Sequence, residues 1–301
     1  MGLFRYMDIF SNLMVIGECL LDARRTNAFM RAIKNTVREG DIALDVGTGS
    51  GILAMTSARA GAKHVYAIDI ASDIVAFAKT NIRNNHLDKL ITVQQSDAKR
   101  FFRKSSVDIV TMELMDTWLV AEHQGAVMNA LHKNGTIGEK TRHIPYRYQC
   151  ALTLADYDFS FYGNRMPFLI QARNFAVTTR ITHIRSKRII VNDIDFAKPV
   201  KTQIDSTVAI PIQANGRCNA LILESKTFLA PGISVWGTTD MNMPVIVPIE
   251  EIDVVKCLRR NVIPCRVGTS FVPTRQRLIE ARVGKRSNRL PTLQPHAVHG
   301  T

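Results

Sequence analysis

The seven residues Asp45-Val46-Gly47-Thr48-Gly49-Ser50-Gly51 constrain this chain more than any other stretch. They follow a short apolar run, IALDV (42–46), and lead into ILAMTSARA (52–60), which reads as a helix. Glycine adopts positive φ without a Cβ clash and lets a ligand approach the backbone closely. The free N–H groups opening the next helix favour a partly negative ligand edge. A strand, a glycine turn and a helix in this order predict a βαβ unit with a ligand site at the carboxyl end of the strand.

The pattern then repeats. VYAIDI (65–70) reads as a strand, DIVAFAKTNIRNN as a helix, ITVQQ (91–95) and VDIVTMEL (107–114) as strands, and AVMNALHKN as a helix. Such alternation predicts an α/β fold with a mostly parallel sheet covered on both faces. A helix is expected ahead of it over 17–36, from the spacing of Leu20, Leu21, Ala28, Phe29 and Ile33. Beyond Pro145 the segments YQCALTLADY, RIIVNDI, STVAIPIQ, ALILESKTFL and VPIEEIDVV are strand-like, so a second, mostly β domain is expected.

Two carboxylates narrow the choice of ligand. Asp69 ends the second strand, where it can accept both hydroxyl hydrogens of a ribose. Asp97, in QQSDA after the third strand, can accept from an adenine amino group. Together with the D-x-G-x-G-x-G form of the turn, opened by Asp45, these acids fit S-adenosylmethionine better than NAD. The expected cofactor contacts are Asp45, Gly47, Thr48, Gly49, Gly51, Asp69 and Asp97.

Composition adds exclusions and one pointer. The five cysteines (Cys19, Cys150, Cys218, Cys257 and Cys265) are scattered and form no C-x-x-C pair, so neither a disulfide framework nor a metal site is expected. The opening MGLFRYMDIF lacks the features of a signal peptide, and no apolar run reaches about 18 residues. A cytoplasmic chain without a membrane partner is the expectation. The formal net charge of +13 favours polyanionic partners and works against basic ones.

From residue 6 to 283 the chain resembles the protein arginine methyltransferase family. Tyr6 to Phe10 (YMDIF) looks like the family's aromatic helix that closes over the cofactor. ECLLDARRT matches its E-x-x-x-D-x-x-R-T block, whose arginine, here Arg25, pairs with the methionine carboxylate of the cofactor. DVGTGSGIL and AIDI match the glycine turn and ribose carboxylate, with Asp69 where the family usually has Glu. ELMDTWLVAE resembles the double-glutamate loop and makes Glu113 and Glu122 the catalytic pair.

The resemblance implies cofactor-covering helices over 1–40, a Rossmann-like domain over 41–145 and a barrel-like β substrate domain over 146–283; the end, 284–301, has little to bury and is expected to be a basic, disordered tail. The resemblance also implies a junction at a proline, which Pro145 supplies. One family feature is missing. A threonine–histidine–tryptophan loop should offer its histidine to an aspartate, here Asp22, but the nearest match is Ser234-Val235-Trp236.

Two substrates suit a pair of ionised carboxylates, which can only accept hydrogen bonds. One is the guanidinium of an arginine in a basic peptide. The other is the guanidine-like N1–H and N2–H₂ edge of a guanine in RNA, with Trp118 either stacking on the base or packing in the protein. Arg165, Arg173, Arg180, Arg185, Lys187 and Arg188 occur with no acid between Phe159 and Asn192, and a second basic block runs from Lys256 to Arg289. These blocks suggest a phosphate-binding face, with Arg185, Lys187 and Arg188 as its contacts. Charge and the missing histidine favour methylation of an RNA base, guanine in tRNA foremost, over protein arginine N-methylation. A non-catalytic S-adenosylmethionine-binding protein is the reading from another class, and a homodimer is left open.

Overall fold

The computed structural model describes residues 12–120, 122–171, 177–254, 262–272 and 276–283, with the backbone alone for 204, 262–272 and 276–283. Two helices come first: α1 (Leu13–Leu21) and α2 (Ala23–Thr36). The sequence periodicity predicts one helix here, and Asp22 divides it. Its carboxylate accepts the Arg25 N–H at 3.0 Å and caps α2, leaving Asp22 itself outside helical geometry. The inner face of α2 buries Arg25, Thr26, Ala28, Phe29, Ala32 and Ile33.

Five strands follow, β1 (Ile42–Val46), β2 (His64–Asp69), β3 (Ile91–Gln95), β4 (Ile109–Met112) and β5 (Arg142–Ile144), with helices α3 (Ile52–Arg59), α4 (Ser72–Asn84) and α5 (Gln124–Lys133) between them. They pair in parallel in the order β3-β2-β1-β4-β5. Strand order reverses between β1 and β4, and ligands of open α/β sheets bind in the crevice at that reversal. Register sets what lies there: Asp45 pairs with Thr111 and Val46 with Met112, so Glu113 emerges beside the glycine turn. Ala43, Leu44, Val46, Ile109, Val110 and Met112 are all buried, which explains why β1 and β4 read as unbroken apolar runs.

The rest of the chain is mainly antiparallel. Arg147–Tyr157, Ile181–Ile184, Ile189–Asp195, Gly216–Ala230, Ile233–Trp236 and Val245–Val254 make a curled, half-barrel sheet of six strands. Ile204–Pro211, Val262–Val272 and Gln276–Val283 form a separate sheet of three. Register shifts at Cys218/Ala220 and Phe228/Ala230 mark bulges, which let a long strand bend. The Ile144–Pro145 peptide is cis.

The chain forms two compact units. The first runs to Gln149 and also takes in Asp193–Val200 and Ser225–Asn242. The second comprises Cys150–Asn192, Lys201–Glu224 and the chain from Met243 onward, and packs Ala155, Tyr157, Phe159, Val177, Ala220, Ile222 and Ile246 together. Among the described residues no helix is long and apolar enough to cross a membrane.

Candidate active site

The glycine turn is held from below and from the side. Gly47 and Thr48 both donate to the carbonyl of Ile68, at 2.9 and 3.0 Å. The Asp69 carboxylate accepts Gly49 N–H at 3.2 Å on one oxygen and Ala71 N–H at 3.1 Å on the other. Each oxygen keeps a lone pair for another donor. Gly47 has φ +71°, and a Cβ there would meet Leu114 Cδ2 at 2.6 Å, so both backbone conformation and space require glycine.

Two carboxyls beside this turn are electrostatically poised. Burial pushes Asp45 up to about 7; the Asp69 charge adds to this, while a 2.7 Å hydrogen bond from the Thr48 hydroxyl opposes it. Burial also raises Asp69, against the pull of the N–H groups of Ala71 and Gly49.

The opposite wall is the loop between β4 and α5. Glu113 forms an ion pair with Arg25, whose side chain also donates to the Cys19 carbonyl at 3.1 Å. Arg25 Nε is buried and has no hydrogen-bond partner. Burial drives the Glu113 carboxyl upward, and the Arg25 charge offsets only part of that. Both ends of the loop are tied by side chains. Leu114 N–H donates to Gln124 Oε1 at 3.0 Å, and Glu122 N–H donates to Asp116 Oδ1 at 3.1 Å. Between them Trp118 and Leu119 take left-handed φ values of 65° and 55°. Trp118 N–H is shared between Tyr148 Oη at 3.1 Å and Ser225 Oγ at 3.0 Å, which holds this uncommon backbone in place.

Known proteins are similar to this chain in sequence and in fold. Residues 24–139 match the model of the ribosomal protein L11 methyltransferase (PrmA) family. Residues 24–139 form a class I S-adenosylmethionine-dependent methyltransferase domain. An uncharacterized protein of Methanocaldococcus jannaschii is 28% identical over 234 residues, which cover 77% of this chain and 84% of that protein. The ribosomal protein L11 methyltransferase of Listeria innocua is 39% identical over 90 residues, and protein arginine N-methyltransferase 1 of Chlamydomonas reinhardtii is 36% identical over 120. These matches cover 30% and 39% of this chain but only 29% and 34% of the two enzymes.

Among solved structures, the Trypanosoma brucei PRMT1 enzyme–prozyme heterotetrameric complex with AdoHcy superposes with TM-score 0.72 at 18% identity, covering 91% of this chain and 98% of that one. A PRMT6 crystal structure gives 0.71 at 16%, covering 90% and 100%. At such identity the likeness shows the fold. The cofactor of the methyltransferase domain is S-adenosylmethionine.

The methyltransferase domain brings Arg25, Asp45, Gly47, Thr48, Gly49, Gly51, Asp69 and Glu113 to the carboxyl ends of β1, β2 and β4. Asp97 lies two residues past β3, partly exposed, with Lys99 N–H on one oxygen at 2.9 Å. Glu122 is half-buried. Tyr6 lies outside the described residues. Asp22, the expected partner of the missing histidine, accepts the Asp240 N–H at 3.1 Å. Trp118 is only 1% exposed, which supports packing over stacking on a base.

Three residues of the first unit escaped the sequence reading: Asp116, Gln124 and Tyr148. Only the placement of Gln124 two residues after Glu122, at the start of a helix, hinted at a role.

Within the second unit, several arginines of the expected phosphate face have other partners. Arg185 is buried and donates to the carbonyls of Arg217 and Asn215, at 2.8 and 2.7 Å. Arg188 spends two nitrogens on the two oxygens of Glu224, at 2.8 and 2.9 Å. Arg180 pairs with Asp158 and Arg165 with Glu251. Asp158, next to the block in sequence, and the remote Glu224 and Glu251 thus pair with three of its arginines, leaving Lys187 exposed. Arg173 and the side chains of the second basic block lie outside the described residues.

Proposed function

We propose that this chain transfers the methyl group of S-adenosylmethionine to a guanidine-type nitrogen held by Glu113 and Glu122, and that the acceptor is an arginine side chain of a protein. The observation that carries the reading is the buried Glu113 carboxylate at the end of β4, ion-paired to Arg25 and close to the glycine turn. Arg25 already gives this buried carboxylate one guanidinium partner, and a carboxylate with remaining acceptor sites can take a second, whose charge and N–H groups suit it.

The residues present fit the cofactor. Asp69 has lone pairs for ribose hydroxyls, Asp97 for an adenine amino group, and the unpartnered Nε of buried Arg25 is a donor for the methionine carboxylate. When bound, the cofactor supplies a methyl group on a sulfonium, an electrophile open to in-line attack. The protein's task is alignment. Glu113 and Glu122 hold the donor nitrogens of the acceptor, concentrate its positive charge there and leave the remaining nitrogen able to attack. The Asp116 and Gln124 hydrogen bonds keep the two carboxylates on one loop of fixed shape.

An RNA guanine remains a second reading because the net charge is +13, which opposes basic peptides. The neutralised arginines of the second unit weigh against it. A tritiated-methyl assay offering an arginine-rich peptide and total tRNA side by side decides between them. Label on the peptide supports the proposal; label on tRNA alone transfers the same chemistry to guanine. Glu113→Gln and Glu122→Gln should each slow transfer about tenfold to a hundredfold, or roughly 1.4–2.7 kcal/mol of barrier, while cofactor affinity measured by calorimetry changes little. Normal turnover in both variants sinks the assignment.

A further inference from the structure

The sequence places its candidate phosphate contacts in the second domain, where the structure finds Arg185 and Arg188 spent on other partners. Another row of cations lies in the first unit. Helix α2 turns Arg25 and its apolar residues inward, and its outward face carries Arg24, Asn27, Arg31, Lys34 and Asn35, all exposed. Exposed Arg38 follows just past its end. At 100° per residue Arg24, Arg31 and Lys34 fall within about 80° of arc, along about 15 Å of helix. Among the described residues none of the four cations is in an ion pair, whereas Arg147, Arg165, Arg180, Arg188 and Arg217 each are.

Helix stability does not account for this stripe. No acid occurs between Asp22 and Glu39, so no i,i+4 pair offsets the charges. Arg31 and Lys34, three apart, repel each other. Arg24 sits in the first turn, where the helix dipole disfavours a cation. Only Lys34, in the last turn, is favourably placed.

We infer that the outer face of α2 docks the phosphate backbone of a nucleic acid. A row of cations interleaved with amide donors suits a chain of regularly spaced phosphates, which accept from arginine, lysine and asparagine alike. An acidic protein segment shares the charge but offers no comparable repeat. Because the stripe and Arg25 occupy opposite faces of one helix about 10–12 Å across, the strand bound here is anchored rather than methylated at that point. The inference goes beyond the methyl-transfer reading, since it concerns residues that take no part in it.

The test is equilibrium binding by fluorescence anisotropy, with the full chain and no methyl donor. A labelled 20-nucleotide oligouridylate and a duplex DNA of equal length are titrated from about 50 to 200 mM salt, a range over which counterion release is measurable. Arg24→Gln, Arg31→Gln, Lys34→Gln and Arg38→Gln are combined in one variant. A companion variant carries Arg24→Lys, Arg31→Lys and Arg38→Lys. At about 0.7 per single-strand contact, losing three or four contacts lowers the log–log salt slope by about 2 to 3. The wild type should then lose about 20- to 50-fold more oligouridylate affinity over that range than the glutamine variant. The lysine variant should keep the wild-type slope, which separates lost charge from lost folding. A slope loss on either nucleic acid supports the surface and shows which one it takes. Unchanged slopes on both overturn the inference, as does displacement by polyglutamate at the same charge concentration as RNA.

Discussion

Asp45 shows how a residue chosen for a site can tax the fold around it. Its carboxyl titrates near 7 in the folded chain because it is buried, with Asp69 adding to the shift, whereas an unfolded aspartate titrates near 3.9. An acid whose folded pKa is raised holds its proton more tightly when folded. Its contribution is therefore favourable below the unfolded value and is lost as pH climbs towards 7, by up to about 1.4 kcal/mol per pH unit. Asparagine keeps an oxygen for the Thr48 hydroxyl and cannot ionise. Asp45→Asn should thus gain stability over the wild type as pH rises from 4 to 7, seen in urea midpoints. A stability difference that stays constant across that window would falsify the assignment of a near-neutral pKa.

His143 opposes this trend. Burial and the stacked His132 push its ring down to about 4, so protonating it between pH 6.5 and 4 costs stability. The difference between Asp45→Asn and wild type isolates the aspartate because both chains contain His143.

At the scale of elements, the glycine turn after β1 and the loop after β4 meet through Gly47 and Leu114. Parallel pairing of Val46 with Met112 brings them together. An alanine at position 47 meets two obstacles: a left-handed φ, at about 1–2 kcal/mol, and the side chain of Leu114. Leu114 adjoins Glu113, so Gly47→Ala should weaken S-adenosylmethionine binding at least about tenfold, roughly 1.4 kcal/mol, and also reduce transfer by the bound enzyme. Adding Leu114→Ala should restore part of the cofactor affinity. Calorimetry giving Gly47→Ala the wild-type affinity would show that the turn is not the cradle.

Much of this element scale was legible in the sequence. The strands IALDV, VYAIDI and ITVQQ announce themselves by apolar runs and glycine punctuation, and Asp69 by its place at a strand end. The Asp22 break was not legible, because Leu20, Leu21, Ala28 and Phe29 keep helical spacing on both sides of it. Nor could spacing alone place Arg25 against Glu113, 88 residues apart; that contact depends on how α2 lies against the end of β4.

For the whole molecule, charge was the least legible property. A run of arginines without acids inside it suggested an open basic face, yet Asp158 at its edge and Glu224 and Glu251 on other strands meet it. Net charge counts residues and is blind to pairing in space. These arginines should therefore matter to stability in proportion to burial. Arg185→Gln leaves two backbone carbonyls short of a donor and should cost about 1–3 kcal/mol. Arg188→Gln removes a more exposed pair and should cost no more than about 1 kcal/mol. Neither should alter the salt dependence of RNA binding. If Arg188→Gln flattens that dependence, the pair with Glu224 opens for phosphate and the second unit regains its expected role.

The composition of the first unit carries a consequence for how the chain is made. Its parallel sheet is complete by Ile144, but Trp118 is held by Ser225, His132 by the Phe196 carbonyl and Asp22 by Asp240. A ribosome must therefore release some hundred residues beyond the last parallel strand before the site's supports exist, as the count from Ile144 to Asn242 shows. Until then the Trp118 turn lacks its Ser225 contact, and a fragment cut after Pro145 lacks Tyr148, Phe196, Ser225 and Asp240 for good.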